Sequence, residues 1–207
     1  MSVNRDAELG QLRETKVVLQ QARPGILSRP VMEIADVLGR VGERFSDPGD
    51  QLRRTALDKL PSEAKLSSEL AEVVLDGMAA GWTRESLSKL LKNEFADPAL
   101  LDGLVRDQQR GNDRSLSVPS VMAVGPTLCV QISSGSVPGV GVNALIRSLL
   151  VKAPTLIKPG AGDVVLTRLF AEALRDADTE LGSAVAVCYW SGEEDHELTR
   201  QAVAGAD

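Results

Sequence analysis

The sequence predicts an α/β fold in which N-terminal helices precede a β-α-β-α-β-α parallel sheet. Three observations predict it. Charge divides the chain: residues 1–115 hold 17 basic and 19 acidic residues, whereas residues 116–207 hold 6 and 10. Apolar residues in the first part recur at helical spacing, while in the second they gather into short β-prone runs. Those runs alternate with helical segments, and crossovers of this kind require a parallel sheet covered on both faces. The expected organisation is a helical region at 1–115 followed by an α/β region at 116–207.

Each element has its own signal. Residues 1–29 are polar and end in Arg23-Pro24-Gly25, which predicts a loosely held start. Val31, Ile34, Ala35, Val37, Leu38 and Val41 form a helical stripe, closed by the turn signal Ser46-Asp47-Pro48-Gly49. Leu66, Leu70, Val73, Val74 and Met78 fall on one helical face, with Gly81 as a stop. Thr83 caps a helix carrying Leu87, Leu90 and Leu91. Asp97-Pro98 starts another, from which Leu100, Leu101, Leu104 and Val105 face inward. Residues 108–117 read as a polar loop. Beyond them, 118–124 is a short β-prone run broken by Pro119, and 127–132 (TLCVQI) is a strand. A helix over 140–151 presents Leu145, Ile146, Leu149 and Leu150, and the strand TLIK follows at 155–158. Asp163 is positioned to cap a helix bearing Leu166, Leu169, Phe170, Ala173 and Leu174. The strand 184–189 (AVAVCY) follows, and the chain is helical from Glu193.

Composition narrows the function. With 207 residues, 43% hydrophobic and 25% charged, the chain is long enough for a sizeable core in one or two domains. A net charge of −6 without a basic patch argues against a nucleic-acid partner. No apolar run approaches the ~20 residues of a membrane span. The N-terminus lacks the apolar core of a secretory signal, so a cytoplasmic location is expected. Two cysteines, Cys129 and Cys188, make neither a disulfide framework nor a zinc site, and both read as inert strand residues. His196 is the single histidine, which argues against His-rich metal sites and a His-based triad. The acidic run around it reads as a helix N-terminus, and no metal is expected. Trp82 and Trp190 read as packing anchors.

Ligands of open α/β sheets bind where strands end and helices begin, and two such junctions stand out. The first is Ile132-Ser133-Ser134-Gly135-Ser136-Val137-Pro138. Its small residues are those of a tight turn, and equally those of a loop that lets a ligand approach the backbone, with the amides of the next helix open to an anion. The second is Lys158-Pro159-Gly160. A lysine ending an apolar strand stands at the carboxyl edge of the sheet, either solvated or in reach of a nucleotide's hydroxyl and phosphate groups. Neither a G-x-G-x-x-G at the first junction nor a P-loop anywhere accompanies them.

Taken together and in order, these pieces resemble the aldehyde dehydrogenase superfamily. More narrowly, the sequence is similar to the fatty acyl-CoA reductases of bacterial bioluminescence systems (LuxC-like). Residues 125–163 (GPTLCVQISSGSVPGVGVNALIRSLLVKAPTLIKPGAGD) and 184–192 (AVAVCYWSG) carry the resemblance, with a looser match at 82–102. It extends over roughly residues 60–207. The family implies a Rossmann-related cofactor domain, here incomplete at its C-terminus. It also implies an enzyme that takes the acyl group of a fatty acyl-CoA onto a cysteine as a thioester and reduces it to the aldehyde with NADPH. On this match Ile132, Ser133, Ser134, Gly135 and Ser136 line the cofactor. Lys158 meets the adenosine ribose or its 2′-phosphate, with Gly160 and Ala161 beside it.

Two departures from the superfamily matter. Ser136 stands where an asparagine usually supports the oxyanion, and a serine hydroxyl is shorter. Ala161 stands where NAD-preferring members often carry a glutamate, and its absence leaves room for a 2′-phosphate. No residue matches the family's cysteine nucleophile, so the 207 residues are expected to form the N-terminal, cofactor-binding part of a longer enzyme and to be inactive alone. The resemblance leaves room for a homo-oligomer. Two rival readings are another aldehyde dehydrogenase relative and a non-catalytic α/β binding or scaffold protein.

Overall fold

The computed structural model describes residues 2–106, 120–133, 135, 137–191 and 195–206. The first element corrects the sequence reading. Residues expected to be loosely held form α1 (Ser2–Ser28), a helix that continues through Pro24. Leu12, Leu19 and Ile26 recur every seven residues and are buried. A seam that narrow is hard to see among polar neighbours, yet it seats the helix. Its C-terminal end is held by Arg29, whose guanidinium donates to Asp178 at 2.7 Å.

The helical stripe at 31–41 becomes α2 (Val31–Arg44), and all six of its named apolar residues are buried. α3 (Gln51–Ala64), capped by Asp50 through the Leu52 amide, has no counterpart in the sequence reading. It buries just Arg53, Ala56 and Leu60, too sparse a pattern to announce a helix. α4 (Ser68–Ala79) exists where expected but faces differently: Ala71, Leu75 and Ala79 are buried, whereas Leu70 and Val73 are 48% and 66% exposed. Alanines on either side of Leu75 let α4 lie close to its neighbours, and Leu70 and Val73 are turned outward. After a 3₁₀ turn at Ala80–Trp82, Thr83 caps α5 (Arg84–Glu94) as predicted. Asp97 caps the Ala99 amide, but the result is a 3₁₀ turn at Pro98–Leu101; of the residues expected to face inward Leu101 is buried, Leu100 and Val105 are half-buried, and Leu104 is 73% exposed. β1 (Val105–Arg106) and β2 (Ser120–Val121) pair antiparallel. The expected loop at 108–117 and the start of the β-prone run at 118–119 lie outside the described residues.

The remaining elements follow the predicted alternation: β3 (Cys129–Ile132), α6 (Val140–Leu150), β4 (Thr155–Lys158), α7 (Val164–Ala177), α8 (Thr179–Ser183), β5 (Val185–Val187) and α9 (His196–Val203). The short α8 was not anticipated. The three strands form a parallel sheet in the order β3-β4-β5, with Ile132 opposite Lys158 and Ile157 opposite Val187. Two apolar clusters cover its faces. One runs from Ile157 through α6 and α7 to α2 and α4; in its midst Phe45 and Phe170 stack and Trp82 meets both edge to face, with centroids 5.5–5.9 Å apart. The other joins Leu156 and Leu128 to Leu12 and Leu19 of α1, to Trp190, and to Leu198 of α9. Both tryptophans are buried as expected, their indole N–H groups donating to Asn143 and Thr199.

Candidate cofactor site

The two junctions singled out in the sequence are one place in the structure. Register pairs Ile132 with Lys158, so β3 and β4 end level, and the Ser133 amide donates to the Lys158 carbonyl at 3.1 Å. Beyond the strands the loops meet backbone to backbone. A Cβ on Gly135 would lie 2.7 Å from the Ala161 nitrogen, and one on Gly162 would lie 2.5 Å from the Gly135 carbonyl oxygen. Glycine is needed at both positions because the loops leave no room for a side chain between them.

Lys158 is 9% exposed and is not a solvated strand-end lysine. Its ammonium lies 5.8 Å from the centroid of the Tyr189 ring, within range of a cation–π contact. Tyr189 itself is half exposed, as is Ile132. Ser133 Oγ is buried and meets no hydrogen-bond partner among the described residues. Gly160 is buried and Ala161 exposed. Ser134 and Ser136 lie outside the described residues.

Asp163 corrects the sequence reading twice. Its side chain does not cap its own helix, α7; the α7 amide at Val165 is taken by the Glu63 carboxylate from the end of α3, at 2.9 and 3.0 Å. Asp163 reaches across to α6, accepting from the amides of Gly139 at 2.5 Å and Gly141 at 2.6 Å. Two of the amides expected to be open to an anion, those of Gly139 and Gly141, are therefore occupied by the protein's own carboxylate. Burial pushes the Asp163 acid up to about 6 against the pull of the two amides, and the nearby Glu63 adds to the rise.

Tyr189 also lines a cleft of ≈ 450 Å³ bounded by the end of β5, Arg168 of α7, Asp195 just before α9, Leu198 of α9, and Glu8, Gln11, Leu12 and Thr15 of α1. Cys188 lies in its wall. Burial raises that thiol above its ordinary pKa, which keeps it protonated and weakly nucleophilic. No group of three or more metal-ligating side chains occurs among the described residues.

Comparison with known proteins fixes the family. The sequence model of the acyl-CoA reductase (LuxC) family matches residues 27–207. The chain belongs to the acyl-CoA reductase (LuxC) family. Long-chain acyl-protein thioester reductase 2 of Photobacterium leiognathi is 22% identical over 185 residues, 86% of this chain and 36% of that protein. The long-chain acyl-protein thioester reductase of Aliivibrio fischeri is 24% identical over 178 residues, 84% of this chain and 35% of that protein. The chain thus spans about a third of the length of these relatives. An NAD-dependent benzaldehyde dehydrogenase from Corynebacterium glutamicum has the same fold, with a TM-score of 0.70 at 15% identity over 94% of this chain and 38% of that one. The aldehyde dehydrogenase-like α/β architecture expected from the sequence is the architecture found.

The LuxC match begins just before the end of α1, so the α1 residues that line the cleft lie outside it. Sequence reasoning missed Tyr189 and the reach of Asp163. Tyr189 could have been found, since it follows an apolar strand run as Lys158 ends its own. The reach of Asp163 depends on how closely α6 and α7 approach, which the order of residues does not announce.

Proposed function

We propose that this chain is the cofactor-binding part of an NADPH-dependent enzyme that reduces a long-chain acyl thioester to the aldehyde. Residues 116–207 are then the dinucleotide-binding region and 1–115 a helical region packed on it. The names of the relatives support an acyl thioester as substrate. The fused junction carries the cofactor assignment: a lysine against an aromatic ring, a buried serine hydroxyl lacking a partner among the described residues, and two glycine-built loops, all at the carboxyl edge of a parallel sheet.

These residues suit a nicotinamide dinucleotide. When bound, that cofactor supplies the hydride that reduces the acyl group. Lys158 donates to a ribose hydroxyl or the 2′-phosphate, held in place by the Tyr189 ring. Ser133 offers its hydroxyl, Ile132 and Gly135 form the floor, and the family match assigns Ser134 and Ser136 to the cofactor as well. Gly160 keeps backbone bulk away, and Ala161 presents no carboxylate to repel a 2′-phosphate. This reading assigns no phosphate to the Gly139 and Gly141 amides, because Asp163 occupies them. Cys129 and Cys188 sit half-buried in or just after strands, so this reading assigns the thioester-forming thiol to residues beyond these 207. The enzyme acts in the cytoplasm in this reading.

The test is a titration of the chain and of Lys158→Ala with NADPH and with NADH. The expected loss is about 1–3 kcal/mol, the range for hydrogen bonds to a charged group, and greater for NADPH. Equal losses for both would confine Lys158 to the ribose. Unchanged affinities would remove it from the site.

A further inference from the structure

We infer that Asp163 is a positioning residue that clamps the two ligand-facing loops into one rigid unit and so holds Lys158 and Ser133 for the cofactor. The inference rests on the cofactor reading above and adds a residue to it that touches no cofactor. Four observations carry it. One carboxylate spans two elements: it belongs to the loop after β4 and binds the amides that begin α6, one oxygen to Gly139 and the other to Gly141. The same two loops already touch at Gly135 and Gly162, so the clamp closes a ring through β3, loop, α6, Asp163, loop and β4. At the strand end of this ring lie the Ser133 amide and the Lys158 carbonyl, bonded to each other. The side chain is fully buried, so water cannot replace it on the amides.

A charge in that position is costly, and the fold tolerates it. Burial raises the acid to about 6, so at neutral pH the protein holds an ion it would hold more easily as a neutral group. Around it stand the Gly139 and Gly141 amides of α6, Thr167 of α7, whose hydroxyl donates to the Asp163 carbonyl, and Glu63 at the end of α3. Glu63 is itself raised by burial and pulled down by Arg168 of α7. The ionised acid accepts from both amides at once. Asparagine turns an NH2 donor toward one of them and releases it, and the protonated acid offers that amide only the weaker acceptor of its hydroxyl oxygen. Stability and clamping therefore point in opposite directions, which separates a positioning role from a merely structural one.

The experiment compares the chain with Asp163→Asn, using NAD⁺ as the probe because it lacks the 2′-phosphate that would itself titrate near pH 6. Dissociation constants are measured from pH 7.5 to 5, with melting temperatures at pH 7.5. The expected result has three parts: Asp163→Asn binds roughly tenfold more weakly at pH 7.5, its melting temperature is equal to or above that of the parent, and its affinity is flat with pH. The parent loses part of that factor as the pH falls through about 6. The parent's pH profile stands even if the variant fails to fold. A parent affinity that does not fall with pH overturns the inference. So does a variant with parental affinity, or one that binds weakly only because it melts lower. If the parent binds neither NAD⁺ nor NADPH at any pH, the cofactor reading falls, and the inference with it.

Discussion

Lys152 Nζ stands 2.7 Å from Asp102 Oδ1, the same oxygen that accepts the Val31 amide at the start of α2. One carboxylate oxygen thereby joins the N-terminal helices to the turn between α6 and β4. Lys152 is almost fully buried, so removing its partner leaves a cation with little water to replace it. Asp102→Ala is expected to lower stability by about 2–4 kcal/mol, discounted for the partial exposure of Asp102. Lys152→Met, which removes the charge and keeps the packing, is expected to cost less than about 1.5 kcal/mol. Chemical denaturation of the two variants checks this; equal costs would show that leaving the Lys152 ammonium unpaired carries no added penalty.

The contact between the two loops makes a steric prediction. Gly162→Ala puts a methyl group against the Gly135 carbonyl and is expected to destabilise by about 1–3 kcal/mol while weakening cofactor binding. Gly10 in α1 meets nothing within 4 Å where its Cβ would be, so Gly10→Ala is expected to stabilise by about 0.5–1 kcal/mol. Thermal melts of both variants and a cofactor titration of the first are sufficient. A neutral Gly162→Ala would mean that the loops can part without cost.

The thiols make a chemical prediction. Cys188 is raised by burial and Cys129 is half-buried in β3, so neither is expected to accept an acyl group. Incubation with a labelled long-chain acyl-CoA followed by mass spectrometry should show no stoichiometric thioester on either residue. Label on Cys188 would relocate the reaction to the cleft beneath α1.

Much of the sheet was legible in the sequence because its signals are local. TLIK is an apolar run that becomes β4 with the boundaries foreseen, and TLCVQI and AVAVCY become its neighbours. Lys158 was placed at the strand edge by position alone. What stayed hidden depends on contacts between distant segments. α1 is seated by three residues seven apart, and α4 turns alanines inward and leaves Val73 outside. Both outcomes follow from how closely neighbouring helices approach, which residue periodicity does not encode. Asp163 carries a plausible N-cap signal, and the structure gives that cap to Glu63 from 100 residues earlier.

The raised acid of Asp163 gives a pH dependence with a definite sign. The folded pKa is about 6 and the ordinary value 3.8, so between those limits the folded protein keeps a proton that the unfolded chain has released. Stability from this group is therefore greatest below about pH 4 and is lost as the pH rises through 6, for a total of about 3 kcal/mol. Glu63 is raised as well and acts in the same direction. Asp50, held below its ordinary value by the Arg44 guanidinium, and Asp178, held below its own by the Leu181 amide and Arg29 against the opposing effect of burial, act in the other. Their contribution is present above the unfolded pKa and is lost as the pH falls. The raw stability curve mixes these effects, so the informative quantity is the difference between the parent and Asp163→Asn. Asparagine cannot ionise, and that difference isolates one proton. It is expected to move in favour of the variant as the pH rises from 4 to 7, by an amount approaching the full ~3 kcal/mol. At pH 7 the variant's net gain is smaller, because one of the two α6 amides loses its acceptor. Urea denaturation at half-unit pH intervals measures the difference directly. A difference that stays constant across this range would place the Asp163 acid outside it and leave the carboxylate no more costly to bury than an amide.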